Sequence, residues 1–501
     1  MRICRRSAFL LMFIALSAFG QKTLLITNND SFRRPNSVST YAIQADGSLL
    51  RVGQFATGGT GGGNSGDPSG QGIGFITTTR IVVTPDNRFV FATNAPDNTV
   101  SGFSVDPSTG ILTLIPGSPF PTGGNACQGM GLAVSPTAPF LYAMNTCSRD
   151  ISSFRIGSDG ALTLIGTGTS TGAEGEDVKV TGDGQFLAVS LSGFQLGAAM
   201  FKIGPAGDLT PVPGSPFAGS PGFAGSLEAN CSGDQLFVLN DGSPSSIDVF
   251  HIAADGSLSL TPQSSFQIPI PPAAGGEVSM YLSPNGNSLF VGDVFSFASS
   301  FHVAADGSLT SESSFVPAET ILMGHVVTDP GGKFLYGSGL GNIAAYSIDS
   351  NAALTILPGS PFPTPGFQAI GSFAAYPGRS CSITVDIKLR AQDNGQDGSP
   401  VTVGASSGEK LQVAILSSET FDATTQVDRT SPTFGHAGTE QSLVSCQDKP
   451  RDVNGDNLAD LVCSFEIRQS GFVPGDTQAT LQGKTIGGKS FSGTAVINVV
   501  P

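Results

Sequence analysis

One phrase, repeated with variations, constrains this chain more than any other feature. Its clearest copy is residues 80–120, RIVVTPDNRFVFATNAPDNTVSGFSVDPSTGILTLIPGSPF. Four short apolar runs, at 81–83, 89–93, 100–105 and 112–115, are separated by Pro85-Asp86-Asn87, by 95–98 and by 106–110. β-branched and aromatic residues bounded by Pro, Gly, Asn and Asp form strands joined by tight turns. Each phrase therefore predicts one antiparallel sheet of four strands. A period of about fifty residues with four strands per period is the signature of a propeller blade.

The second half of the phrase is an aromatic residue, a short alternation, an Asp-Gly-type turn and a second alternation. It recurs at Tyr41, Phe103, Phe154, Phe201, Phe250, Phe301 and Tyr346, seven copies in all. The first half recurs at 131–145, 177–190, 279–293 and 325–339, with a weaker copy at 227–240. The two ends of the array complement each other. The N-terminal copy begins at its second strand, KTLLITNN (22–29), whereas the last copy is followed by a stray first strand, GSFAAYP (371–377). Lending that strand to the first blade completes seven sheets and removes the exposed edges of an open array. The expected fold is all-β: a seven-bladed propeller over 21–378, closed by a strand from its C-terminal end.

Segments such as TPDNRFVFATN, SPTAPFLYAMN and DPGGKFLYGSG, followed by an aromatic strand, D-G and often PGSPF, resemble the lactonase-type propellers. These are the cycloisomerase-like 6-phosphogluconolactonase relatives, with a YVTN-type repeat. The resemblance covers about residues 22–378 and implies the fold; one propeller scaffold carries many functions.

The N-terminus reads as a secretory signal peptide over 1–20. Arg2, Arg5 and Arg6 precede an apolar run over 8–19, and Ala18-Phe19-Gly20 supplies a cleavage pattern. No other apolar stretch approaches membrane length. Net charge is −15, and removal of the three arginines takes it to −18, which argues against nucleic acid and anionic membranes. The mature chain is expected to be a secreted or periplasmic monomer. Its partner is left open as a small molecule, a protein or a glycan of that compartment. Six cysteines remain after residue 20. Cys127 and Cys147 flank one predicted hairpin at matching distance and are expected to pair in an oxidising compartment. Cys446 and Cys463 bracket a loop, and Cys231 and Cys381 show no obvious partner. The glycine-rich stretch 58–74 lacks the G-K-[ST] ending of a phosphate cradle and reads as an insertion.

From 379 to 501 the phrase is gone. Alternating runs at 383–391, 410–417, 458–467, 476–485 and 494–500 predict a β-sandwich-like second domain. The order VDIK, VAILSSETFDATTQVD, DVNGDNLADLV, GDTQATLQGKT resembles a C-terminal module of exported bacterial proteins. Within it, Asp452, Asn454, Asp456 and Asp460, with the carbonyl of Leu458, place hard oxygen donors at calcium-loop spacing. Asn457 and Cys463 stand where an EF-hand has Gly and Glu, so a shorter structural Ca²⁺ loop is expected; the plain alternative is an acidic turn.

Aligning the first strands puts Arg80, Gly131, Asp177, Leu227, Ser279, His325 and Ser372 at one level of the channel mouth, with Glu176 and Glu277 beside it. Arg80, Asp177 and His325 are the candidate catalytic set: His325 as base, Arg80 to bind an anionic group, Asp177 to orient the imidazole or a water. The family's enzymes tend to carry an Arg-His pair at the start of an inner strand, and that pair is absent here. Two functions follow: a non-catalytic binding or scaffolding propeller with a calcium-stabilised accessory domain, or a lactone hydrolase acting at the channel mouth.

Overall fold

The computed structural model describes residues 22–501 apart from 31–32, 63–77, 128, 194–195, 243, 263, 269–276, 294–296, 319–324, 340, 365–370, 380, 382, 391–400, 419–420 and 487–489. The expected signal peptide and most of the glycine-rich insertion lie outside these residues.

Among the described residues, seven antiparallel sheets of four main strands follow one another along the chain, and three of them add a two-residue fifth strand. Their innermost strands are Ser372–Tyr376, Ile81–Val83, Met130–Val134, Gly175–Val180, Phe223–Ala229, Glu277–Leu282 and Val326–Thr328. Each of these touches the next, and Val326–Thr328 returns to Ser372–Tyr376, so the seven close a ring. The closing strand comes from the far end of the array: Ser372–Tyr376 pairs antiparallel with Leu24–Asn28, from Leu24 opposite Tyr376 to Asn28 opposite Ser372. Blade one is thus made from both ends of the propeller, as expected.

Blades stack face to face, so the second strand of each is covered on both sides. Phe89–Asn94, Phe140–Asn145 and Phe186–Leu191 are buried at every position, which is why these segments read as continuous apolar runs. The aromatic near the end of the third strand fills the space between neighbours: Phe103, Phe154, Phe201, Phe250, Phe301 and Tyr346 are all at most 2% exposed. The hairpin after it requires a left-handed residue. Gly160 (φ 84) also lies so close to Ile115 and Phe89 of the preceding blade that a Cβ would sit 2.5–2.6 Å from them. Backbone and packing both demand glycine there. In blade seven the position is Ala352, held at φ 68.

The PGSPF phrase has a local role. Ser118, Ser215 and Ser360 accept hydrogen bonds through Oγ from the backbone N–H groups of Gly102, Met200 and Ala345, at 2.9–3.0 Å. They turn the chain from the outer strand back over the third strand of the same blade.

The C-terminal region forms two sheets around one core. Ile383–Thr384, Ser490–Val500, Gln478–Lys484 and Thr433–Gly435 form one, with Val401–Gly404 added to Ser490–Val500; Ile387–Arg390, Lys410–Ile415, Leu461–Glu466 and Leu443–Cys446 form the other. Phe434, Phe465, Phe491, Leu481 and Val413 lie between them. This is the expected sandwich-like arrangement. Three disulfides form: Cys127–Cys147, Cys446–Cys463 and Cys231–Cys381. The last joins the two cysteines for which the sequence offered no partner. Among the described residues no helix is long and apolar enough to cross a membrane.

Candidate functional site

Strand register decides which side chains share a level of the channel. Ile81, Leu132, Val178, Leu227, Met280 and Val326 stand opposite Ala92, Ala143, Val189, Val238, Val291 and Gly337, all the same position of the repeat. Leu227 therefore lies one step deeper than Arg80, contrary to the sequence alignment, and Ser226 precedes it. Ser372 faces Asn28 and lies one step further out, so Phe373, opposite Thr27, takes its place. Both errors are single-residue slips, which a strand's period of two turns into a change of face.

The three candidate catalytic residues are buried around the mouth, each engaged with its neighbours. Arg80 forms an ion pair with Asp30, both side chains at most 3% exposed, and donates from Nε to Thr78 Oγ1 at 2.9 Å. Asp30 also accepts from Gly62 N–H, at 2.8 Å, where the glycine-rich insertion begins. Asp177 Oδ1 accepts from Thr79 N–H at 2.9 Å. That bond passes from blade four to blade two, past blade three, whose equivalent position is Gly131. Burial lifts the Asp177 carboxyl above its ordinary range, against the pull of Lys179 and of the Thr79 N–H. His325 Nδ1 accepts from Phe373 N–H at 3.3 Å, which leaves the proton of a neutral ring on Nε2. Burial, then the charges of Lys179 and Arg80, push its pKa down to about 3. At neutral pH His325 is a neutral imidazole whose Nδ1 lone pair is already engaged.

Glu176 differs from these three. It is half-buried, its Oε2 has no hydrogen-bond partner, and its pKa is raised to about 7, by burial first. Arg80 is close enough to oppose that shift. The side chain of Glu277 lies outside the described residues.

One level deeper, the equivalent positions are Val82, Ala133, Lys179, Glu228, Tyr281, Val327 and Ala375. All seven line a cavity of about 170 Å³ on the channel axis. Lys179 Nζ meets Glu228 Oε1 at 3.0 Å and donates to Thr79 Oγ1 at 2.9 Å. Arg379, just beyond the closing strand, meets Glu228 Oε2 at 3.1 Å. Burial pulls the Lys179 ammonium down, but Glu228 and Asp177 outweigh it and hold its pKa above the ordinary lysine value. The sequence reading missed Lys179, Glu228 and Arg379. The first two carried a signal: a charge at the centre of a strand, in DVKV and LEAN, where other copies have Val, Ala or Tyr.

In the tail, the candidate calcium residues form a turn. Asp452 accepts from Gly455 and Asn457 N–H at 2.6 and 2.9 Å, and Asp456 accepts from Asn454 Nδ2 and Leu458 N–H, both at 2.8 Å. Asp460, fully buried, accepts from Ser417 and Val453 N–H, both at 2.8 Å. Among the described residues no group of three or more His, Cys, Asp and Glu side chains is placed to hold a metal ion.

A closed ring of seven antiparallel blades around an axial cavity that holds Lys179, Glu228 and Arg379 defines the class of this molecule, and solved structures of that class match it. A Bacteroides fragilis protein assigned as a 6-phosphogluconolactonase superposes with TM-score 0.55 at 20% identity, over 72% of this chain and 99% of that one. One so assigned from Bacteroides uniformis gives 0.56 at 18%, over 71% and 100%. The Pseudomonas aeruginosa periplasmic gluconolactonase gives 0.54 at 17%, over 70% and 98%. At these identities the likeness is one of fold. No protein-family pattern matches the chain, and no curated protein matches it by sequence.

Proposed function

We propose that this chain is an exported, non-catalytic binding or scaffolding propeller with an accessory C-terminal domain. One observation carries this reading: the side chains that a hydrolase would use at the mouth are committed to holding blades together. Arg80 is neutralised by Asp30, Asp177 spans to Thr79, and His325 accepts from Phe373. Three disulfides, the basic and apolar N-terminus and the fold shared with a periplasmic gluconolactonase support export. Structural Ca²⁺ in the tail belongs to the same proposal, supported by the oxygen donors at 452, 454, 456, 458 and 460.

A second reading, a lactone hydrolase, is favoured by Glu176 alone. A carboxyl with pKa about 7 and an unbonded oxygen has the properties of a general base. It would take a proton from water as the water oxygen adds to the ester carbonyl; the ring oxygen then leaves and is protonated. Sugar and aliphatic lactones incubated with the mature protein separate the two readings. The first expects no hydrolysis above the uncatalysed rate. Turnover that is lost in Glu176→Gln would overturn it in favour of the second.

A further inference from the structure

The inner end of the channel is crossed by a strap. The chain leaves blade one after Tyr376, and Cys381 is bonded to Cys231, just past the inner strand of blade five. In a ring of seven these blades stand on opposite sides of the axis, and Pro377, Gly378 and Arg379 lie over the opening between them. The strap is tied on the near side as well, where Gly378 N–H donates to Asn87 Oδ1 at 2.7 Å. Arg379 is thereby held over the cavity.

Its guanidinium is received by one strand of blade five. Nη1 donates to Glu228 Oε2 at 3.1 Å, and Nη2 donates to Ala229 O at 3.2 Å, 3.7 Å from Cys231 Sγ. The receiving half belongs to the propeller alone. Glu228 is 3% exposed, and Lys179 occupies only its other oxygen. A carboxylate oxygen beside a carbonyl suits the planar fork of a guanidinium better than it suits the point charge of an ammonium. Charge selects for a cation. Asp177, one level further out, and Glu228 stand against Lys179 and Arg379; without the arginine the two levels together have two carboxyl groups to one ammonium, which favours a monovalent cation over an anion.

We infer that the inner end of the channel is a binding site for a guanidinium group, occupied in cis by Arg379 as a tethered ligand. A small molecule or peptide bearing a guanidinium takes the same place once the arginine side chain is removed. The site lies deeper than Glu176 and does not depend on whether the mouth hydrolyses a lactone.

Thermal melting of the mature protein tests this, with methylguanidinium at millimolar concentration as probe. Arg379→Ala should melt several degrees below wild type, because Glu228 is left with one cation fewer. Methylguanidinium should recover much of that loss by binding the folded state only. Methylammonium should recover less, and wild type, whose site is full, should not respond. Arg379→Ala combined with Glu228→Gln should lose the recovery. Absence of recovery in Arg379→Ala, or an equal shift in wild type or the double variant, overturns the inference. Should Arg379→Ala not fold unaided, its refolding yield with and without methylguanidinium decides: a dependent yield supports the site, an independent one overturns it.

Discussion

Glu228 and Arg379 are 151 residues apart in the chain and meet at 3.1 Å over the channel axis, one on the inner strand of blade five and one on the segment leading out of blade one. This contact joins the closing of the ring to the start of the second domain. It makes the channel asymmetric, with a mouth around Glu176 and an inner end strapped by residues beyond Tyr376.

The strand Ser372–Tyr376 is the only inner strand blade one has, among the described residues, and its pairing runs the whole length of Leu24–Asn28. Deleting 371–377 should expose that edge and lower the melting temperature by several degrees or cause aggregation. Melting unchanged from the intact chain would contradict closure by this strand.

Ala352 takes the left-handed conformation that glycine takes in the other blades, at Gly47, Gly110, Gly160, Gly207, Gly256 and Gly307. An L-residue there costs about 1–2 kcal/mol, and the greater freedom of glycine in the unfolded chain offsets part of the gain. Ala352→Gly should therefore stabilise the protein by about 0.5–1 kcal/mol, read as a higher denaturant midpoint with the same slope. A destabilised variant would mean that the methyl group's packing outweighs the backbone term.

Glu176 gives the mouth a pH dependence. Its folded pKa, about 7, lies above the ordinary value of 4.5, so the folded state holds the proton more tightly than the unfolded one. Its contribution to stability must then fall as pH rises between those values. Glu176→Gln cannot ionise. The variant's melting temperature relative to wild type should climb from about pH 5 to about pH 8 and then level off. A difference that stays constant over that range would show that Glu176 ionises normally.

In the tail, Ca²⁺ should raise the melting temperature of the transition that belongs to the second domain, and chelator should reverse it. Asp456→Ala is the informative variant, because Asp456 is exposed, whereas Asp460 already holds two backbone N–H groups. The shift should be lost in Asp456→Ala. Identical melting with calcium and with chelator would leave 452–460 as an acidic turn.

Local pattern by itself determined the all-β class, the four-strand phrase, the seven copies and the strand that closes blade one. Each of these rests on alternation, turn residues and the aromatic at a fixed offset, and all act over a few residues. The Cys127–Cys147 pair was legible for the same reason, since both cysteines flank one hairpin. What lies on the axis was not legible. The partners of Arg80, Asp177 and His325, the Lys179–Glu228–Arg379 set and the Cys231–Cys381 bond all join residues from different blades or from the strap. They meet only because seven inner strands converge on one line. Their levels depend on strand register, where one residue moves a side chain from the channel to the blade, as Leu227 and Ser372 showed. Tertiary structure alone decided those levels, because only a closed ring brings the inner strands of seven separate blades within hydrogen-bond reach of one axis.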